Sequence, residues 1–269
     1  MKIALLKLSG KTLNDLLLTD KWINSISIIQ SNFDGLIIVH GAGKDITEWS
    51  NKLGLKNEFV NGHRVTTKEQ MDVVAAVQAG MLNAKVVARL NSLNIESAGF
   101  TGIDRGTFTA QYLDKNLGFV GKPFLSGSTQ WILDLINKNV VPVFSSVCMN
   151  AEGDLMNVNA DLFAETLALS VSVDTVFFAS DVDGVILNGK VKKSLSEDEI
   201  LKGIEAGDIT AGMVPKLTSC IELLNKGLHK IWIGSNIETT SLSNSGENNL
   251  HGTWITTKHE SEYELLRTA

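Results

Sequence analysis

Short apolar runs alternate along the chain with amphipathic stretches of helical period. Lys2 to Leu8 is an apolar run closed by Ser9-Gly10 and predicts a buried strand. Thr12 to Ile28 predicts a helix. Leu36 to Val39 predicts a second strand, which ends in His40-Gly41-Ala42-Gly43, and Lys44 to Leu53 predicts a helix that Gly54 stops. Helical periodicity runs from Lys68 to Leu93, with a break expected near Gly80. Glu96 to Phe100 predicts a strand, Phe108 to Val120 a hairpin region, Gly127 to Asn137 a helix and Val140 to Phe144 a strand. The rhythm continues with helices over Asp161 to Leu169, Glu197 to Glu205 and Met213 to Asn225. Strands are expected over Thr175 to Ala179 and Lys230 to Ile233, with a late edge strand over Thr253 to Ile255. Ser241 to Asn249 is polar and reads as a mobile surface loop.

Strands alternating with helices imply βαβ units and a mostly parallel sheet, an α/β fold. In such folds ligands collect beyond the carboxyl ends of the strands. Glycine-rich turns follow the strands that end at Leu8, Val39 and Ala179, and no linker divides the chain. Composition adds limits. With 269 residues, 43% hydrophobic and 20% charged, the chain can bury a sizeable core. Its net charge is -6 and no basic run occurs, which argues against a nucleic-acid partner. Cys148 and Cys220 lack metal-ligand spacing and read as reduced thiols. Met1 to Lys7 is too short for a signal segment, and no apolar run approaches the roughly 20 residues of a membrane span. A cytoplasmic protein with no membrane partner is expected.

Five segments carry candidate chemistry. Lys7-Leu8-Ser9-Gly10-Lys11 ends the first strand. A glycine there lets phosphate approach the backbone, and burying Lys7 is costly unless an anion meets it; the alternative is a strand-end lysine that reaches solvent. His40-Gly41-Ala42-Gly43 offers successive backbone N–H groups to an anion, with His40 also readable as a packed or capping residue. It lacks the third glycine of a dinucleotide fingerprint and is not a P-loop. Phe59-Val60-Asn61-Gly62-His63-Arg64-Val65-Thr66 puts an arginine after a tight turn, suited to bidentate capture of a carboxylate or simply lying on the surface. Asn157-Val158-Asn159-Ala160-Asp161 opens a helix. Asp161 is readable as its cap, and the two asparagines would line one groove. In Ile209-Thr210-Ala211-Gly212-Met213-Val214-Pro215-Lys216, a lysine sits in the first turn of a helix, where the dipole disfavours it unless an anion is bound.

In this order and spacing the five segments resemble the amino-acid kinase family, whose K-x-G-G, H-G-G-G, N-G-x-R-V-T, N-x-N-A-D and G-G-M-x-x-K patterns they match from Lys7 to Lys216. The similarity runs on to Thr253, and the nearest pattern is that of members acting on N-acetyl-L-glutamate in arginine biosynthesis. The resemblance implies a three-layer sandwich around a mostly parallel sheet of about eight strands. It implies an N-terminal lobe, about residues 1–170, for the acyl-amino-acid and a C-terminal lobe, about 171–269, for ATP with Mg²⁺. The activity implied is ATP-dependent phosphorylation of a side-chain carboxylate to an acyl phosphate. Carried over residue by residue, Lys7 and Lys216 would neutralise the transferring phosphoryl group and Asp161 would orient them. Arg64 and Asn157, with Asn159 and the backbone of Ala42 and Gly43, would hold the acyl-amino-acid. Gly10, the loop Ser180, Asp181, Val182, Asp183, Gly184 and Val185, and Ile209, Thr210 and Gly212 would lie on the nucleotide side.

That inventory suits the chemistry. A carboxylate nucleophile is ionised at neutral pH and needs no general base. The site must instead offset repulsion between two anions with positive charge and in-line positioning. No protein metal ligand is named, because phosphates and water would hold Mg²⁺. Ser9, Ala42 and Ala211 stand where the family pattern has glycine, and are tolerable where φ is not positive. Trp254 stands where many members have arginine, which would alter the nucleotide end. Alternatives keep the fold with N-succinylglutamate or a carrier-linked aminoadipate as acceptor, with Arg105 as an extra anion contact, or make the chain a non-catalytic amino-acid sensor. A homodimer is expected through the stretch from Lys68 to Leu93. No arginine feedback is expected, because the first strand begins at Lys2, ahead of which a hexamer-forming helix would stand.

Overall fold

The computed structural model describes residues 1–210, 212–237 and 251–257. From the N-terminus, β1 (Ile3–Leu8) leads into α1 (Gly10–Leu18) and α2 (Lys21–Asn32), and β2 (Gly35–His40) into α3 (Gly43–Lys52). A ribbon of β3 (Phe59–Val60) and β4 (His63–Arg64) precedes one long helix, made of α4 (Lys68–Val74), a π-helical segment (Ala75–Leu82) and α5 (Asn83–Asn91). Then come β5 (Ser97–Phe100), β6 (Phe108–Tyr112), β7 (Val120–Leu125), α6 (Gln130–Ile136), β8 (Val141–Ser145), β9 (Val147–Met149), β10 (Leu155–Val158) and α7 (Ala160–Val171). The last part holds β11 (Thr175–Ala179), the ribbon β12 (Ile186–Leu187) and β13 (Lys190–Val191), β14 (Ser194–Ser196), α8 (Glu197–Glu205), α9 (Val214–Asn225), β15 (Lys230–Gly234) and β16 (Gly252–Thr256).

These elements form two compact units. One joins Met1–Asp34 to the described residues from Ser172 onward; the other is Gly35–Val171. The mixed, mostly parallel sheet has eight strands, five in the first unit in the order β14-β16-β15-β11-β1 and three in the second in the order β2-β8-β5. The expected α/β architecture, a mostly parallel eight-stranded sheet flanked by helices, is what forms.

In the first unit, β1, β11 and β15 are parallel and in register, so Leu6, Phe177 and Trp232 form one row across one face. Trp254 of antiparallel β16 pairs with Trp232 and extends that row. Phe33, just beyond α2, meets Phe177 edge-on at 5.8 Å, and Trp254 does the same at 5.8 Å. The Trp232 ring lies over Gly252, where a Cβ would come within 2.1 Å of it. Lys7 and Phe178 pair on the opposite face. In the second unit, Phe144 of β8 gathers Phe100 at 5.7 Å, Trp131 of α6 at 6.0 Å and Phe163 of α7 at 5.9 Å. The long helix covers the other face, that of His40 and Val143. β6, β7, β9 and β10 close a small barrel beside it.

Several expectations change. Thr12 to Ile28 is two helices, because Thr19 takes an extended conformation and its hydroxyl and N–H both bond to Asp15 O. The stretch from Lys68 does not break at Gly80; it widens into the π-helical segment instead. That continuous helix, Lys68–Asn91, is long and apolar enough to cross a membrane by length and composition, contrary to the expectation of no such run. It buries Met71, Val74, Leu82, Val86 and Leu90 against its own unit, as core helices of globular proteins do. β16 is not an edge strand, since β14 lies outside it. β9, β10 and the short strands from Ile186 to Ser196 went unread, being two to four residues long. The Ser241 to Asn249 loop lies outside the described residues.

Adding a methyl group at Gly252 forces it into an indole that has no room to move. Gly252→Ala is expected to cost about 1–3 kcal/mol and to lower Tm by several degrees. Differential scanning calorimetry checks this, and a Tm within one degree of wild type would refute the packing.

Candidate functional site

In the Gly35–Val171 unit, β2 ends at His40 and the turn runs straight into α3. Ala42 occupies the N-cap position with φ -150°, and no side chain caps the helix. Its first backbone N–H groups are therefore the kind that donate to an anion. A Cβ built on Gly43 meets nothing within 4 Å, so the space over this turn is open. Arg64 comes from the β3–β4 ribbon, whose tight turn places Asn61 at φ 49° and Gly62 at φ 81°. Its guanidinium is buried and donates to Gly43 O at 3.0 Å, Thr47 Oγ1 at 2.6 Å and Asn57 Oδ1. It also stacks on Phe59 at 4.7 Å. All three acceptors are neutral, and burial pulls the Arg64 pKa down.

Asn157 in β10 donates to Thr66 Oγ1 at 3.0 Å, and Thr66 donates to Arg64 O at 3.0 Å. Asn159 accepts from Asp161 N at 2.7 Å and so caps α7; the cap is Asn159 and not Asp161, which stands in the first turn. The two asparagines thus have separate hydrogen-bond partners. Beneath these motifs lie polar residues that apolar periodicity hid. Asn83 donates to His40 Nε2 at 3.1 Å and Val143 O at 3.0 Å. Gln78 donates to Ser146 Oγ at 2.7 Å and His40 O at 3.4 Å, and Ser146 donates to Val158 O at 2.7 Å. The available signal was polar Gln78 and Asn83 on either side of the apolar run from Ala79 to Leu82. His40 is fully buried, and desolvation lowers its pKa to about 4. It is a packed neutral imidazole, whose Nδ1 faces Gly41 O at 3.2 Å.

In the other unit, Ser9 has φ -72° and caps α1, its hydroxyl accepting from Thr12 N. Ser9 and Ala42 thus sit at negative φ, as their Cβ atoms require; Ala211 lies outside the described residues. Lys7 is mostly buried in β1. Its register partner is Phe178, and Lys216 of α9 holds its Nζ 5.3 Å from the centre of the Phe178 ring. Both lysines therefore lie on one face of the sheet. Lys216 stands in the first turn of α9, behind Pro215. A Cβ on Gly10 or Gly212 would meet nothing within 4 Å. Ile209 is buried against Gly203, while Thr210 O accepts from Met213 N at 2.9 Å. After β11, Ser180 N donates to Gly234 O at 2.7 Å, and Asp181, Val182 and Asp183 are exposed. Ser235 donates to Asp183, which lowers the Asp183 pKa, and His251 Nδ1 is 3.7 Å away. Gly184, at φ 133°, lies against Thr253 Oγ1, to which Val185 N donates at 2.8 Å.

Residues 2–235 match the model of the amino acid kinase family. The chain belongs to that family. Among family relatives, it is 31% identical over 255 residues to the acetylglutamate kinase of Geobacillus sp. (strain WCH70), covering 94% of this chain and 96% of the relative. It is 33% identical over 233 residues to the acetylglutamate kinase of Bacillus pumilus (strain SAFR-032), covering 86% and 89%. Of solved structures, smu.665 from Streptococcus mutans UA159 superposes with a TM-score of 0.79 at 26% identity, covering 94% of this chain and 98% of that one. Carbamate kinase from Giardia lamblia bound to AMP-PNP, at 16% identity and a TM-score of 0.63 over 96% and 99%, shares the fold.

The buried His40 makes stability depend on pH. Its folded pKa, about 4, lies below the ordinary histidine value of 6.5, so the unfolded chain takes up the proton first. This contribution is complete above pH 6.5 and is lost as pH falls towards 4, by roughly 3 kcal/mol in all. Across pH 6.5 to 5, Tm of His40→Gln is expected to fall less steeply than that of the wild type. Parallel slopes in thermal melts would refute it.

Proposed function

We propose that this chain is an acetylglutamate kinase, transferring the terminal phosphoryl group of ATP to the side-chain carboxylate of N-acetyl-L-glutamate in arginine biosynthesis. The carrying observation is Arg64. A guanidinium buried among neutral oxygens, with no carboxylate at ion-pair distance among the described residues, suits an anionic ligand that supplies the missing charge. It stands beside an uncapped helix start that suits the same ligand. Whole-length similarity to acetylglutamate kinases supports the substrate.

On this reading the Gly35–Val171 unit takes the acyl-amino-acid, through Arg64, Asn157, Asn159, Ala42 and Gly43. The unit with β1 and α9 takes ATP, through Gly10, the Ser180 to Val185 loop, Ile209, Thr210 and Gly212. Lys7 and Lys216 lower the charge repulsion of transfer, with Asp161 as the third catalytic group. No cluster of three His, Cys, Asp or Glu side chains suits a metal among the described residues. A Mg²⁺ ion would rest on the nucleotide phosphates and water, where it would neutralise phosphate charge. The same reading makes the enzyme cytoplasmic. It also makes it a homodimer through the stretch from Lys68 to Leu93, which a light-scattering mass of one or of six chains would refute.

Coupled ADP release tests the reaction over N-acetylglutamate, N-succinylglutamate and aminoadipate. N-acetylglutamate should give the highest kcat/KM. If an acidic acyl group wins, the exposed Arg105, held at φ 56°, becomes its partner. Lys216→Ala should lower kcat by about 10²–10³, because its charge matters most in the transition state. Arg64→Ala should mainly raise KM for the acyl-amino-acid and leave that for ATP unchanged. Near-normal turnover in the first variant, or weakened ATP in the second, would overturn these roles.

A further inference from the structure

We infer that Gln78 and Asn83 are positioning residues that set the two acyl-amino-acid motifs from beneath. Each side-chain amide has two hydrogens, and each hydrogen has its own acceptor. Those of Asn83 go to His40 Nε2 and Val143 O, at 3.1 and 3.0 Å. This fixes the imidazole with its proton on Nδ1, facing Gly41 O at 3.2 Å. Those of Gln78 go to His40 O and Ser146 Oγ, at 3.4 and 2.7 Å. The Ser146 hydroxyl then spends its own hydrogen on Val158 O, at 2.7 Å. One helix thereby holds the carbonyls of His40 and Gly41, where the His40 to Gly43 turn begins, and that of Val158, between Asn157 and Asn159. Gln78, Asn83, Ser146 and His40 are all buried, so no water competes for these bonds.

The π-helical segment makes this possible. In an α-helix, residues five apart point about 140° away from each other. Gln78 and Asn83 are five apart, and both point inward. Across Ala75–Leu82 the i→i+5 pattern brings residues five apart round to the same face.

The inference rests on the reading of these motifs as the acyl-amino-acid site, and its test separates the two. Gln78→Met keeps the volume and removes both donors. Amide hydrogen exchange is measured by mass spectrometry in peptides covering 41–46 and 157–161, with no substrate present. Exchange in both is expected to quicken about tenfold, the factor for one lost hydrogen bond. Ser146→Ala should quicken 157–161 and spare 41–46, which keeps the test open if Gln78→Met folds poorly. In kinetics, Gln78→Met should raise KM for N-acetylglutamate several-fold while KM for ATP stays within about twofold. Unchanged exchange in both peptides, a uniform loss of protection over the whole chain, or equal changes in both KM values would overturn the inference. Wild-type protein that releases no ADP on any acceptor would overturn the proposed function instead, and the exchange data would still judge the network.

Discussion

A carbonyl at the end of a buried parallel strand has left its ladder and has not yet reached water. It must find a donor or cost about 1–3 kcal/mol. The arrangement of both units follows from that demand. In the Gly35–Val171 unit, the Gln78 amide answers it at His40 and, through Ser146, at Val158. In the other unit a threonine does similar work. Thr253 donates to Lys192 O and accepts from Val185 N, tying the loop after β11 to β16. Turns that keep open backbone for a ligand can stand at these strand ends because the strands behind them are already satisfied.

Much of the fold was legible in the sequence, because buried parallel strands are continuous apolar runs and the helices between them are amphipathic. β1, β2, β11 and β15 lie within one residue of their expected places, and α8 spans Glu197–Glu205 as the pattern has it. β9, β10 and the short strands between Ile186 and Ser196 carry too few positions for a period and were missed. The division between α1 and α2 was hidden because apolar residues that end up buried, such as Leu16 and Trp22, stand on both sides of the bend at Thr19. At the candidate site, charged and glycine positions were legible from motif spacing. Gln78 and Asn83 were not, because a side chain that bonds carbonyls inside a core has no motif of its own.

The departures from the family pattern are absorbed by local means. Ser9 turns the lost glycine into a helix cap with φ -72°, and Ala42 takes φ -150° without entering the left-handed region. Trp254, in the place of an arginine, continues an aromatic row over Phe177, so that position serves packing in this chain.

A π-helical segment has one more residue in its turn than the α-helix it interrupts. The helix from Lys68 to Asn91 is therefore specified by count as well as by composition. Relaxing the segment to α-helix at its full length would turn Gln78 and Asn83 about 140° apart. Removing one residue between them as well would leave them four apart, about 40° from each other and again on one face. The extra residue and the wider turn compensate each other, so the segment can lose both together but not one alone.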